Sequence, residues 1–226
     1  MRKKSRMKNV FADKATLIVR KILHNHSKKW VVRDFTGPQG VSLGMAQEVL
    51  ETMVQLGYVE RIKKGPHSYT ILTNRESLIE DWLKEYSFDS NEIDTYYTPD
   101  KDILKNIKAY LKADEYAFTL HTGANLVTSY VKTEHIYLYL DKEKWDKGIL
   151  KIRENLGLKE LVKGGNIHIV KPFYKNSIFF NLQRIKGYPV VSSLQLYLDL
   201  YNFQPRGRDH AEHLKKVLEE KGNSLD

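Results

Sequence analysis

The run Asp209-His210-Ala211-Glu212-His213 sets two imidazoles three residues apart behind a carboxylate, the raw material of a divalent-metal site. Zinc held this way needs three or four ligands at matched spacing. No further ligand follows at such an interval, so the run reads as a solvated helix start, and neither a metal nor another cofactor is expected. His24 and His26 are two apart and would leave a helix on different sides. A metal-dependent nuclease core needs an acidic residue and then Asp/Glu-x-Lys on the next strand, to hold the ion and polarise water. Only Glu219 with Lys221 has that spacing, and it falls in the terminal helix; "LYLDKEKW" has the right residues at the wrong intervals. "VKGGN" is not a phosphate-binding Gly-x4-Gly-Lys-Ser/Thr loop, and no Gly-x-Ser-x-Gly elbow occurs. The absence of cysteine removes thiolate chemistry, disulfides and Cys-ligated zinc. These exclusions point away from an enzyme.

Charge is the more informative signal. The chain of 226 residues carries a net charge of +9, and its distribution is uneven. Residues 1–75 hold 15 Lys and Arg against 5 Asp and Glu, whereas the remainder holds 22 against 23. A basic module on a near-neutral body is the footprint of a polyanion binder. In the remainder, "QPRGR" places Arg206 and Arg208 around a glycine ahead of a helix, where a phosphate could sit. The same five residues also serve as a turn between packed helices. Both arginines are kept as candidate interaction residues.

The elements that must position these groups follow from periodicity. "KATLIVRKILHN" has apolar residues at helical spacing behind Asp13 as N-cap, and a short apolar stretch with one helical turn follows before Gly37-Pro38. Ser42 caps a second helix whose stripe is Ala46, Val49, Leu50, Met53 and Leu56, and Gly57 stops it. "YVERIKK" and "HSYTILT" alternate around Gly65-Pro66 as a hairpin. Helix, short helix, turn, helix and two-stranded wing make a winged helix-turn-helix. In that layout Ser42, Gly44 and Gln47 stand at the exposed start of the second helix, small or uncharged enough to approach base edges. Gln47 suits a bidentate contact with adenine. Arg61, Lys63, Lys64 and His67 of the wing, with Arg33, are placed to contact phosphate. Glu51 lies one turn beyond Gln47 on the same face and would repel the backbone unless it points outward or pairs with a cation such as Lys29.

"RESLIEDWLKEY" is a docking helix, "SFDSNEIDTYYTPD" a linker, and "KDILKNIKAYLKAD" another amphipathic helix. Beyond them "YAFTL", "HIYLYL", "NIHIV" and "SIFFNL" read as strands, with helices at "GANLVTSYV" and "EKWDKGILKIRENLG". "HIYLYL" reads as core rather than as a platform for stacking bases. Ser192 or Ser193 caps "LQLYLDLY", and Asp209 with Glu212 forms a capping-box-like start for "HAEHLKKVLEE". The fold class expected is α+β: a winged helix-turn-helix in residues 1–90, then an α/β domain with a mixed sheet in residues 91–226.

Two stretches resemble the AbiEi family of type IV toxin–antitoxin (abortive infection) antitoxins. One is "WVVRDF…GVSLGMAQEVLETMVQLGYVERI" with "LIEDWLKEY"; the other is the closing "VVSSLQLYLDLYNFQPRGRDHAEHL". "FTLHTGANLVTSYV" is similar to the family's central Leu-Thr-Gly-x-x-Ala segment, with His121 inserted and Asn125 in place of Ala. The resemblance implies an N-terminal winged helix that represses its own operon. It also implies a C-terminal domain that counters a nucleotidyltransferase toxin without a stable complex.

The function expected is therefore a DNA-binding repressor with no catalytic activity, acting on double-stranded promoter DNA, with a homodimer on an inverted repeat. Two alternatives stay open: a nuclease or nucleic-acid-modifying enzyme delivered by a winged helix, and a ligand-sensing regulator without a toxin. No apolar run approaches the roughly 18 residues of a membrane span, and no signal-peptide pattern opens the chain, so a cytoplasmic protein is expected.

Overall fold

The computed structural model describes residues 8–63, 65, 68–161, 164–222 and 225. Contacts divide the chain into two compact units, residues 1–86 and 87–225.

The first unit is built on three helices and a hairpin. Helix α1 (Asp13–His24) buries Ala15, Ile18, Val19, Ile22 and Leu23 along one side. Its N-cap is Ala12, without a side-chain bond, and Asp13 is instead the first helical residue. There its charge complements the helix dipole. A 3-10 turn at Val32–Phe35 leads to α2 (Leu43–Gln55), whose buried side is Ala46, Val49, Leu50, Thr52 and Met53. Leu56, expected in that stripe, is the C-cap residue and remains 42% exposed. Strands β1 (Val59–Ile62) and β2 (Tyr69–Leu72) pair antiparallel from Val59↔Leu72 to Ile62↔Tyr69. Trp30 extends this ribbon by exchanging backbone bonds of 2.8 and 2.7 Å with Thr70. Helix α3 (Arg75–Glu85) closes the core through Leu78, Ile79, Trp82 and Leu83, with Phe11 stacked 5.6 Å from the Trp82 ring.

The second unit carries a mixed sheet of six strands in the order β3-β6-β5-β4-β8-β7. These are β3 (Glu92–Tyr96), β4 (Tyr116–Phe118), β5 (Ile136–Leu140), β6 (Ile167–Lys171), β7 (Gln183–Ile185) and β8 (Tyr188–Val190). The β5–β6 and β4–β8 pairs are parallel; the other three are antiparallel. Helices α4 (Ile103–Tyr110), α5 (Leu120–Val127), α6 (Lys142–Asn155), α7 (Ser193–Tyr201) and α8 (Gly207–Glu220) complete it. Helix α7 is buried from Ser193 to Leu200 and packs with both α5 and α8.

Three sequence expectations change here. The stretch expected as a linker forms β3, an edge strand with four of its five residues exposed, which is why its sequence looks polar. "SIFFNL" is not a strand: Ser177, Ile178 and Phe180 make turn bonds back to Tyr174 and Ser177. The strand at the sheet edge is the next segment, β7, which turns into β8 through Lys186-Gly187, both at positive φ (52° and 80°). That pair gives the twist a two-residue hairpin needs. Finally, α8 opens at Gly207 behind Arg206 in the left-handed conformation (φ 61°), so Asp209 and Glu212 lie inside the helix and do not cap it.

Candidate functional site

Helix α2 turns Ser42, Leu43, Gly44, Gln47, Glu48 and Glu51 to solvent. The Ser42 Oγ accepts the Met45 N–H at 3.2 Å, which fixes the helix start and leaves the hydroxyl hydrogen free to donate. A Cβ at Gly44 would meet nothing within 4 Å, so no internal packing demands glycine there. Gln47 Nε2 donates to Glu51 Oε1 at 3.0 Å. Glu51 is thus engaged by Gln47, and Lys29 instead lies over the Tyr69 ring, 5.2 Å from its centroid. The bond leaves Gln47 its carbonyl and one amide hydrogen, the pair an adenine edge uses. Glu48 is paired with Lys8 at 3.2 Å.

Arg33 in the 3-10 turn, Arg61 on β1 and Lys63 just after it are all exposed. Among the described residues none of the three forms an ion pair, so their charges are available to an outside anion. Lys64 and His67, also expected in the wing, lie outside the described residues.

In the second unit Arg206 and Arg208 part company. The Arg206 guanidinium sits 5.7 Å from the Tyr130 ring centroid, and that of Arg208 sits 4.3 Å from the Tyr201 ring and bonds its hydroxyl. They do not form one anion clamp.

Sequence reasoning missed two histidine relays beside this corner. His121 Nε2 is 3.2 Å from the Pro205 carbonyl, which only accepts, so Nε2 carries the proton. His121 Nδ1 must then accept from His210 Nδ1–H at 2.9 Å, and His210 Nε2 lies 3.1 Å from the Thr128 hydroxyl, whose single hydrogen it shares with the Ala124 carbonyl at 3.2 Å. Both imidazoles are neutral in this arrangement. Burial lowers the affinity of each for a second proton, and for His210, with help from His121, His213 and Arg206, the pKa falls to about 3. The second relay runs from Thr95 Oγ1 to His168 Nδ1 (3.0 Å) and from His168 Nε2 to His135 Nδ1 (2.9 Å). Burial and the neighbouring His135 hold His168 down at about 4. Bonded partners in the two relays lie 33 to 89 residues apart, which no local pattern reveals.

The closing motif has its own polar centre. Asp199, fully buried, accepts from Thr119 Oγ1 (2.5 Å), Gln195 Nε2 (2.6 Å) and the Tyr139 hydroxyl (3.1 Å). Its lone pairs are therefore committed inside the core, as a buried carboxylate requires. Asn125 closes the loop after α5 by bonding both the carbonyl and the N–H of Val131, at 2.6 and 3.0 Å.

A family model described as "Transcriptional regulator, AbiEi antitoxin, Type IV TA system" matches residues 71–220. The chain belongs to the AbiEi family. No curated protein and no solved structure matched it. The AbiEi match begins inside β2 and ends with α8, so it contains Asp199, both relays, Arg206 and Arg208. Arg33, Ser42, Gly44, Gln47, Arg61 and Lys63 precede it. The role that AbiEi membership carries is that of a toxin–antitoxin regulator. Among the described residues no three His, Cys, Asp or Glu are grouped to hold a metal ion, and no helix is long and apolar enough to cross a membrane.

Proposed function

We propose that the chain is a cytoplasmic DNA-binding repressor without catalytic activity, the autoregulating antitoxin of a type IV system opposed to a nucleotidyltransferase toxin. Its first unit acts as a winged helix-turn-helix. Helix α2 enters the major groove, with Ser42, Gly44 and Gln47 toward base edges, and Arg33, Arg61, Lys63, Lys64 and His67 grip the flanking phosphates. The observation that carries this reading is that Arg33, Arg61 and Lys63 are exposed and form no ion pair among the described residues, in the same unit as an exposed start of α2 that bears no charge before Glu48. Phosphate contacts supply affinity and base contacts supply sequence choice. The second unit acts through surfaces, pairing two copies on an inverted repeat or opposing the toxin without a stable complex.

The test is a gel-shift series on the promoter DNA and on random DNA. Gln47→Ala should cost about 1–3 kcal/mol on the promoter and little on random sequence. Lys63→Ala with Lys64→Ala should weaken both alike and flatten the salt dependence by about one unit per lost contact. A lysine pair that altered only sequence preference would reverse the roles given to helix and wing.

A further inference from the structure

Beside the α7–α8 corner the second unit contains a pocket of about 240 Å³ lined by Lys132, His135, Tyr137, Phe203 and Arg206, with His121 at its back. No acidic residue is among its lining residues. Residues 76–226 as a whole carry slightly more acid than base, so this acid-free, basic lining is a local feature and not part of a general field. Its aromatic wall is set at right angles: Phe203 meets Tyr137 at 5.5 Å and 79°, and His121 at 5.6 Å and 71°. Phe203 and Tyr137 are both partly exposed. Lys132 and Arg206 are exposed and form no ion pair among the described residues; stacking on Tyr130 steadies Arg206 without neutralising it. His135 spends its Nδ1 on His168, which leaves its Nε2 without a partner among the described residues.

We propose that this pocket binds a small anion that joins a planar aromatic ring to a phosphate, of the nucleoside 5′-monophosphate class. The ring packs on the Phe203–Tyr137 wall. The phosphate lies between the separate cationic arms of Lys132 and Arg206, with His135 Nε2, the ring nitrogen that His168 leaves unused, as a further contact; it is a donor in the tautomer in which His168 donates to His135 Nδ1. Two cations and a donor suit a phosphate, which carries close to two negative charges and three acceptor oxygens, better than a carboxylate. The volume is below the roughly 300–1,000 Å³ of sites that enclose a whole drug-sized ligand, so part of the nucleotide stays in solvent. The relays behind the wall fix the two lining histidines before any ligand arrives, which lowers the ordering cost of binding.

Calorimetric titration of the full chain with AMP, GMP, CMP and UMP tests this, with inorganic phosphate and adenosine as the separated parts. At least one monophosphate should bind saturably at one site, and each separated part should bind about tenfold more weakly or worse. Lys132→Ala and Arg206→Ala should each lower affinity about tenfold or more, the loss expected of a charged hydrogen bond. Both side chains are exposed, so folding is spared. Arg208→Ala, on the Tyr201 side, should leave affinity unchanged. The proposal is overturned if none of the four monophosphates binds at millimolar concentration, if inorganic phosphate binds as well as they do, or if Lys132→Ala and Arg206→Ala have no effect. No DNA enters the assay, so its failure would leave the repressor reading untouched.

Discussion

His210 has no exposed surface and His168 is only partly exposed, and both stay neutral in the folded chain. Their folded pKa values, about 3 and about 4, lie below the ordinary 6.5. The unfolded chain therefore takes up protons as pH falls through 6.5 while the folded chain does not. Stability from these groups is complete above 6.5 and is lost progressively toward pH 4. Between pH 7.5 and 5.5, where carboxylates do not titrate, each should remove about 1.4 kcal/mol from the second unit. Urea unfolding of that unit at the two pH values checks this, and equal stabilities would contradict the neutral relays. None of this chemistry was visible from residue types alone. His210 was read as a solvated partner of His213, yet it is the buried centre of a relay whose other members come from α5 and the loop at Thr128.

At the scale of elements, two glycines separate surface from packing. A Cβ at Gly207 would lie 2.2 Å from the Leu200 carbonyl oxygen and 2.9 Å from Phe203 Cβ, so only glycine lets α8 start against α7. Gly207→Ala should destabilise the second unit by about 1–3 kcal/mol, the usual cost of overpacking. Gly44, with open space around it, should behave oppositely. Gly44→Ala removes helix-interior flexibility and should stabilise the first unit by roughly 0.5–1 kcal/mol, while a methyl at the turn proposed to face the groove should weaken promoter binding. Thermal unfolding with a gel shift on each variant measures both effects. The helices α1, α2, α3 and α4 were legible because each carries an apolar stripe of period 3.6. Strand β3 was not, since an edge strand exposed on most of its length shows no apolar alternation. Nor was the β7–β8 hairpin, whose three-residue strands are too short to register a period.

Over the whole molecule, the excess of base in residues 1–75 and the near balance beyond them are the reason the proposed polyanion binding is placed in the first unit. A fragment of residues 1–90 should bind the promoter with most of the full chain's affinity. With roughly six phosphate contacts, that affinity should fall about a thousandfold from 50 to 200 mM salt. Equal binding by a fragment of residues 91–226 would remove the basis of this assignment. The AbiEi match covers residues 71–220, whereas the charge lies almost wholly before it. Family membership and the DNA-binding reading thus rest on different parts of the chain.

The amino-acid sequence by itself determined the charge division, the helices with their apolar stripes, the three strands β4, β5 and β6 in outline, and the AbiEi signature at the C-terminus. These are local or additive properties, readable within a few turns of chain. Only the tertiary structure decided where the polar residues of that signature go. Gln195 and Asp199 turn inward to Thr119 and Tyr139 because α7 is buried on every side and its carboxylate must find donors there. It also decided that Arg206 and Arg208, one glycine apart, face different aromatic rings, since the left-handed residue that starts α8 turns the chain between them. The relays and the pocket arise from residues up to 89 positions apart, brought together by sheet order and helix packing, and such contacts leave no spacing for a sequence to show.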